Sequence, residues 1–193
     1  MSKPQQAGAV VVHGGAGASR ENEDGCVLAA RRALAQLEVN GDALDAAVGA
    51  VSALEDDGRF NAGSGSVLGL DGATVEMDAS IMDTRGRLGA IACVQSVKNP
   101  VQLARAVADT PHWLLAGDGA TRFARAIGMP ESAPVSERQR ADHRKIMTQL
   151  AGSVPAMPGL NSRLFERFWN YNTPVNLPEG VACDTVGAVG RGA

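Results

Sequence analysis

Residues 55–66, EDDGRFNAGSGS, are too rich in glycine and polar side chains for a helix or a strand, and they separate two stretches with different periods. The segment reads as a loop with turns of its own. On its N-terminal side apolar residues recur at helical spacing. Val27, Ala30, Leu34 and Leu37 predict a helix over 25–39, and Leu44, Ala47, Val48, Val51 and Leu54 predict a second that begins after Asp42. Asp42 is a good N-cap, and Asp45 puts a negative charge in the first turn, where the helix dipole favours it. On the C-terminal side, residues 67–70 and 74–82 read as strands joined by Asp71 and Gly72, a pair that favours a type I′ hairpin turn. A third strand over 88–94 follows the turn at Arg85 and Gly86, so the sheet is at least partly antiparallel.

Ahead of the first helix, a short apolar run at 9–12 ends in HGGAGA, the pattern of a buried strand delivering a glycine loop to a sheet edge. Beyond the strands, Asn99 caps a helix with Pro100 at its first position, and Thr110 and Pro111 stop it. Residues 118–127 form another, ended by Gly128. From 131 to 180 the composition changes, with prolines at 134, 155, 158, 174 and 178 and one charged, weakly amphipathic stretch at 137–150. This span reads as a mobile connector carrying one exposed helix. Helices and strands come in mixed order without internal repeat or strict βαβ alternation, which places the chain in the α+β class rather than among doubly wound folds.

At 193 residues and 45% hydrophobic content the chain has the material for one ordinary domain with a sizeable core. A net charge of −3, from 18 basic and 21 acidic residues mixed along the sequence, offers no positive stripe for a phosphate backbone, so nucleic acid is not an expected partner. The start, MSKPQQAGAVVVHGG, has neither a secretory apolar core nor a membrane span, and the cytoplasm is the expected location. Three widely spaced cysteines form no CxxC pair; Cys26 and Cys93 read as small core residues and Cys183 as filler near the end. The 23 glycines ask which close backbone approaches they serve.

Chemistry enters at 183–190, CDTVGAVG, where Thr185 follows an acid and leads into a small, apolar, strand-like run. A threonine hydroxyl is a weak nucleophile without a neighbouring base, and the α-amine of an N-terminal threonine is such a base, with a pKa of roughly 7.7 to 8.0. Cleavage between Asp184 and Thr185 would expose that amine, by attack of the Thr185 hydroxyl on the Asp184 carbonyl carbon to give an ester that water then hydrolyses. Taken alone, the same letters also describe an ordinary strand threonine. GGAGA at 14–18 also resembles a phosphate cradle, but it lacks the lysine and serine of a P-loop and the acidic partner of a dinucleotide fold.

The chain as a whole resembles the plant-type L-asparaginases and isoaspartyl peptidases, a branch of the N-terminal nucleophile hydrolases. The resemblance is carried by HGGAGA at 13–18, ALDAAVGAVSALEDDGRFNAGSGSV at 43–67, EMDASIMD at 76–83, NPVQLARAV at 99–107, PHWLLAGDGATRFARAIGM at 111–129 and DTVGAV at 184–189. It covers most of 9–129 plus the candidate cleavage site, with the motifs in the family's order. The related glycosylasparaginases also place an acid before the nucleophilic threonine, though the PHWLLAGDGA segment is closer to the isoaspartyl peptidase branch.

What the resemblance implies is an αββα sandwich and a hydrolase of L-asparagine and β-aspartyl dipeptides that needs no cofactor for its chemistry. Thr185 would be the nucleophile and the first residue of a second subunit, with Asp184 the last residue of the first. The glycine-rich loop would match the family's sodium loop, with backbone carbonyls of Leu54, Glu55, Asp57, Phe60, Ala62 and Ser64 on a structural ion; a plain Ω-loop is the alternative. Asn61 would lie by the scissile bond, where its amide hydrogen-bonds the carbonyl oxygen, or else is a turn asparagine. His13, Gly14 and Gly15 would bring backbone N–H groups near Asn61, while His112 and His143 match no catalytic position. Family members form αβ heterodimers that dimerise. After Val189 the sequence departs from the family pattern and ends GRGA, without the threonine-rich motif, the substrate-gripping arginine and aspartate, or the Thr-Gly oxyanion pair of the second subunit. The expectation is a first subunit over 1–184, with 131–180 its connector, followed by a truncated start of the second over 185–193. Such a chain would be an incomplete sandwich, inactive alone and prone to aggregate or to need a complementing subunit.

Overall fold

The computed structural model describes residues 8–16, 18–69, 71–132, 135–151 and 185–192. Strand β1, Ala9–His13, leads through a short 3-10 turn at Arg20–Asn22 into helices α1, Glu23–Asn40, and α2, Ala43–Asp57. Strands β2, Met77–Met82, and β3, Leu88–Val94, follow, then helix α3, Pro100–Val107, strand β4, Leu114–Ala116, helix α4, Gly117–Ala126, helix α5, Glu137–Ala151, and strand β5, Gly187–Arg191. The described strands make two sheets. β1 and β5 pair antiparallel; in the other, β2–β3 is antiparallel and β3–β4 parallel. The mixed α+β class is as the sequence implies.

Helix α2 is the wall between two cores, and its composition explains why. Ala46, Ala50 and Leu54 meet Ala29, Ala33 and Leu37 of α1 together with Phe60, and Val10, Val12, Val186 and Ala188 of the β1–β5 ribbon close that cluster. Leu44 and Val48 turn the other way, onto Met77, Ile81, Ile91 and Val94 of the three-stranded sheet and Val101, Leu103, Ala104 and Val107 of α3. Asp42 caps α2 as expected, its Oδ1 accepting the N–H groups of Leu44 at 2.9 Å and Asp45 at 3.1 Å.

Several expectations need correction. The buried stripe of α1 is Gly25, Ala29, Ala33 and Leu37, while Val27 and Leu34 are exposed. Alanines let the two helices approach closely, so the small residues take the contact and the branched ones fall beside it. β1 is not buried through; one side lies on α1 and α2 and Val11 faces out, because a two-stranded ribbon is covered on a single face. Residues 67–69 form no strand, and Leu70 lies outside the described residues. Gly69 N–H instead bonds Thr74 O, and the Asp71 carboxylate takes the N–H groups of Ala73 and Thr74. Gly72 has positive φ but Asp71 does not, which excludes the type I′ turn. β2 starts at Met77 rather than 74, with an irregularity between Met77 and Ala79. Cys26 is half-buried against the α1–α2 core, while Cys93 is exposed and is not a core residue. The one helix expected in the connector, at 137–150, is present as α5, and the span from 152 lies outside the described residues, as do Cys183 and Asp184. Among the described residues no helix is long and apolar enough to cross a membrane.

Candidate active site

The antiparallel register of the β1–β5 ribbon positions Thr185. Val12 pairs with Ala188 and His13 with Gly187, the last pair of the ladder, so the ribbon ends where the HGG turn begins on one strand and two residues after Thr185 on the other. Thr185 is exposed there. The turn is closed locally, Gly15 N–H donating to Nδ1 of His13 at 3.2 Å. A side chain at Gly14 would lie 2.8 Å from Sγ of Cys26 and 2.9 Å from Cε1 of Phe60, so only glycine lets the turn sit on the Phe60 ring. Phe60 is buried between α1 and α2, and Asn61 follows it directly. Gly14 thus rests on Phe60, the residue before Asn61, at the end of the ribbon that the His13–Gly187 pair closes. Asn61 uses its Oδ1 to accept Val67 N–H at 3.1 Å, which leaves its amide nitrogen as donor.

The glycine loop grows out of the C-terminal end of α2. The carbonyls of a helix's last turn have no intrahelical donor and carry its negative dipole end. Gly58, with φ of 76°, ends the helix, and a turn at Gly63–Gly65 folds the chain back onto it. Ser64 Oγ donates to Glu55 O at 2.7 Å, and a Cβ on Gly63 would sit 2.6 Å from that same oxygen. A Cβ on Gly65 would run into the carbonyls of Phe60 and Gly58. Backbone oxygens of Glu55, Gly58 and Phe60 therefore line side-chain-free positions, where they accept hydrogen bonds from Ser64 Oγ, Arg138 and Ala62 N–H. No group of three or more His, Cys, Asp or Glu that could hold a metal ion occurs among the described residues.

The side chains of the loop and of the turn before it are committed elsewhere, which sequence reasoning missed. Glu55, only 3% exposed, sends its carboxylate to the start of α3, accepting Val101 N–H at 2.9 Å and Asn99 Nδ2 at 3.2 Å. Burial pushes its carboxyl up to about 7, against the opposing pull of those two donors. Asn99 does not cap α3 as expected; Glu55 does, because it arrives from α2 already fixed. Arg59 grips Asp57 through Nε at 2.6 Å and Nη2 at 2.7 Å, and Asp24 at the start of α1 at 2.8 Å and 3.0 Å. These bonds hold both carboxyls below the usual carboxylate range. His112 is exposed, and His143 lies against Gly72.

Compared with known proteins, residues 6–191 match the family model described as asparaginase. The chain belongs to the asparaginase family. It is 45% identical over 152 residues to the plant-type L-asparaginase of Pyrococcus furiosus, covering 74% of this chain and 48% of that protein. With the isoaspartyl peptidase/L-asparaginase of Homo sapiens it shares 50% identity over 131 residues, 63% of this chain and 42% of that one. The plant-type L-asparaginase of Thermococcus kodakarensis is 46% identical over 155 residues, 74% of this chain and 48% of its own length. The chain spans about half the length of these curated relatives. Within the asparaginase family match lie both the HGG turn and the strand that follows Thr185.

Proposed function

We propose that this chain belongs to an amidohydrolase acting on L-asparagine and β-aspartyl dipeptides, after cleavage of its own backbone between Asp184 and Thr185. The observation that supports the reading is the β1–β5 ladder, whose last pair, His13 with Gly187, lies two residues from Thr185 and at the start of the HGG turn that rests on Phe60, the neighbour of Asn61 in sequence. In the self-cleavage step the Thr185 hydroxyl oxygen bonds to the Asp184 carbonyl carbon. The C–N bond breaks, the hydroxyl proton passes to the departing amine, and water hydrolyses the resulting ester. The Asn61 amide nitrogen donates to the carbonyl oxygen as negative charge develops there. The freed Thr185 amine then serves as base for its own hydroxyl, which attacks the substrate amide. Ammonia or an amino acid leaves with the proton, and hydrolysis of the second ester yields aspartate.

The glycine loop is proposed to hold a structural sodium ion through the carbonyls of Leu54, Glu55, Asp57, Phe60, Ala62 and Ser64. The crowding of backbone oxygens at Gly63 and Gly65 supports this, as does the engagement of the Glu55 and Asp57 side chains elsewhere. The ion's charge would steady the helix end beside Asn61. Residues 1–184 are proposed as a first subunit, and the rest of an αββα sandwich and the substrate-gripping groups as the work of a second, in αβ units that dimerise.

The test is intact mass after incubation. Fragments that begin at Thr185 and end at Asp184, absent in Thr185→Ala, are expected; a chain that stays whole, or breaks elsewhere, sinks the reading. The apolar outer faces of the sheets favour a second reading, a chain that acts only by association. Val11 at 69% and Val189 at 72% exposure stand side by side across the ribbon. Hydrolysis of L-asparagine that Thr185→Ala abolishes decides against this rival.

A further inference from the structure

Helix α5 begins with a closed capping box, and the box aims it at the glycine loop. Ser136 N–H donates to Gln139 Oε1 at 2.8 Å and Gln139 N–H donates back to Ser136 Oγ at 3.2 Å. With its oxygen held this way, Gln139 turns its amide nitrogen to Ser66 O at 2.7 Å. One residue earlier, the Arg138 guanidinium donates to Gly58 O at 3.4 Å and Arg59 O at 3.3 Å. A single helical turn thus ties down both ends of 58–66, placing a cation on the negative end of α2. Further along α5, His143 rests on Gly72.

The loop needs this contact because its two sides are supported differently. Phe60 anchors one side in the α1–α2 core. On the other a cavity of about 310 Å³ opens between Ser64, Thr74, Gln95, Ser132 and Gln139, so polar groups of α5 replace packing there. Ser66 is also next to Val67, whose N–H fixes Asn61. Gln139, Ser66, Val67 and Asn61 form one mechanical chain.

We propose that Arg138 and Gln139 are positioning residues, which hold the glycine loop so that Asn61 is set for cleavage before Thr185. This rests on the reading of Asn61 and Thr185 given above. Gln139→Glu separates the roles: its carboxylate still accepts from Ser136 and keeps α5 capped, but it has no hydrogen to give Ser66 O. Combined with Arg138→Ala it releases both ends of the loop. In the 193-residue chain, hydrogen exchange at Ala62, Gly65 and Val67 is expected to speed up roughly tenfold in the double variant. Self-cleavage followed by mass slows by a similar factor, while the amides of α2 and the helical signal stay as in the parent. Loop exchange unchanged in the double variant overturns the proposal. So does faster loop exchange with cleavage at the parental rate. Should the parent chain not cleave at all, the reading of Thr185 fails by itself, and loop exchange still decides whether α5 holds the loop.

Discussion

Glu55 joins the two cores, and its replacement has a magnitude that follows from its contacts. Val101 is buried, so Glu55→Ala leaves its N–H without the acceptor now 2.9 Å away. An unsatisfied buried donor costs about 1–3 kcal/mol, and the lost side-chain methylene about 1 kcal/mol more. Against this stands relief from burying a carboxylate whose ionisation the site already opposes, holding it up to about 7. Asn99 is less affected, since Ser52 O and an Asp56 oxygen remain as acceptors. The net expectation is a loss of about 2–3 kcal/mol. Glu55→Gln keeps an oxygen for Val101 without a charge to bury and gives up only the bond from Asn99, which retains Ser52 O and Asp56 as acceptors, so its change should stay within about 1 kcal/mol. Urea unfolding reads the difference: at a slope of roughly 2 kcal/mol/M the midpoint of the alanine variant drops by about 1 M, with the slope unchanged. A glutamine variant that falls as far as the alanine variant, or an alanine variant that does not fall, refutes the capping argument.

Gly14→Ala should destabilise by roughly 1–3 kcal/mol through overpacking against Phe60 and Cys26, and Cys26→Ala in the same chain should return part of it; a thermal melt without a shift removes the close-approach explanation. If the glycine loop holds sodium, the melting temperature in sodium chloride should exceed that in choline chloride at equal ionic strength and climb with the logarithm of sodium concentration. Identical melts across that series would remove the ion.

The element pattern is largely readable in the sequence. Residues 88–94 match β3 at both ends, Asp42 caps α2 as its type predicts, and Asp118 to Ala126 fall in α4. Periodicity, capping chemistry and glycine content are local properties, set by the sterics and donors of neighbouring residues. The HGG turn, the glycine loop and Thr185 were likewise visible as motifs. β4 was missed because three residues of LLA carry no period of their own, and only a place beside β3 makes them a strand.

Partners across the fold could not be read in this way. Val27 and Leu34 looked like core in α1, yet Ala29 and Ala33 took the contact, because the closeness of α2 decides which face is inside. Asn99 had the right type for a cap but lost the place to Glu55, which is far away in sequence. The same holds at the candidate site. The sequence by itself determined that a threonine follows an acid and that glycine turns lie upstream. Only the tertiary structure decided that β1 and β5 pair in the register that joins His13 to Gly187, two residues from Thr185, since pairing of distant strands depends on their common burial against α1 and α2.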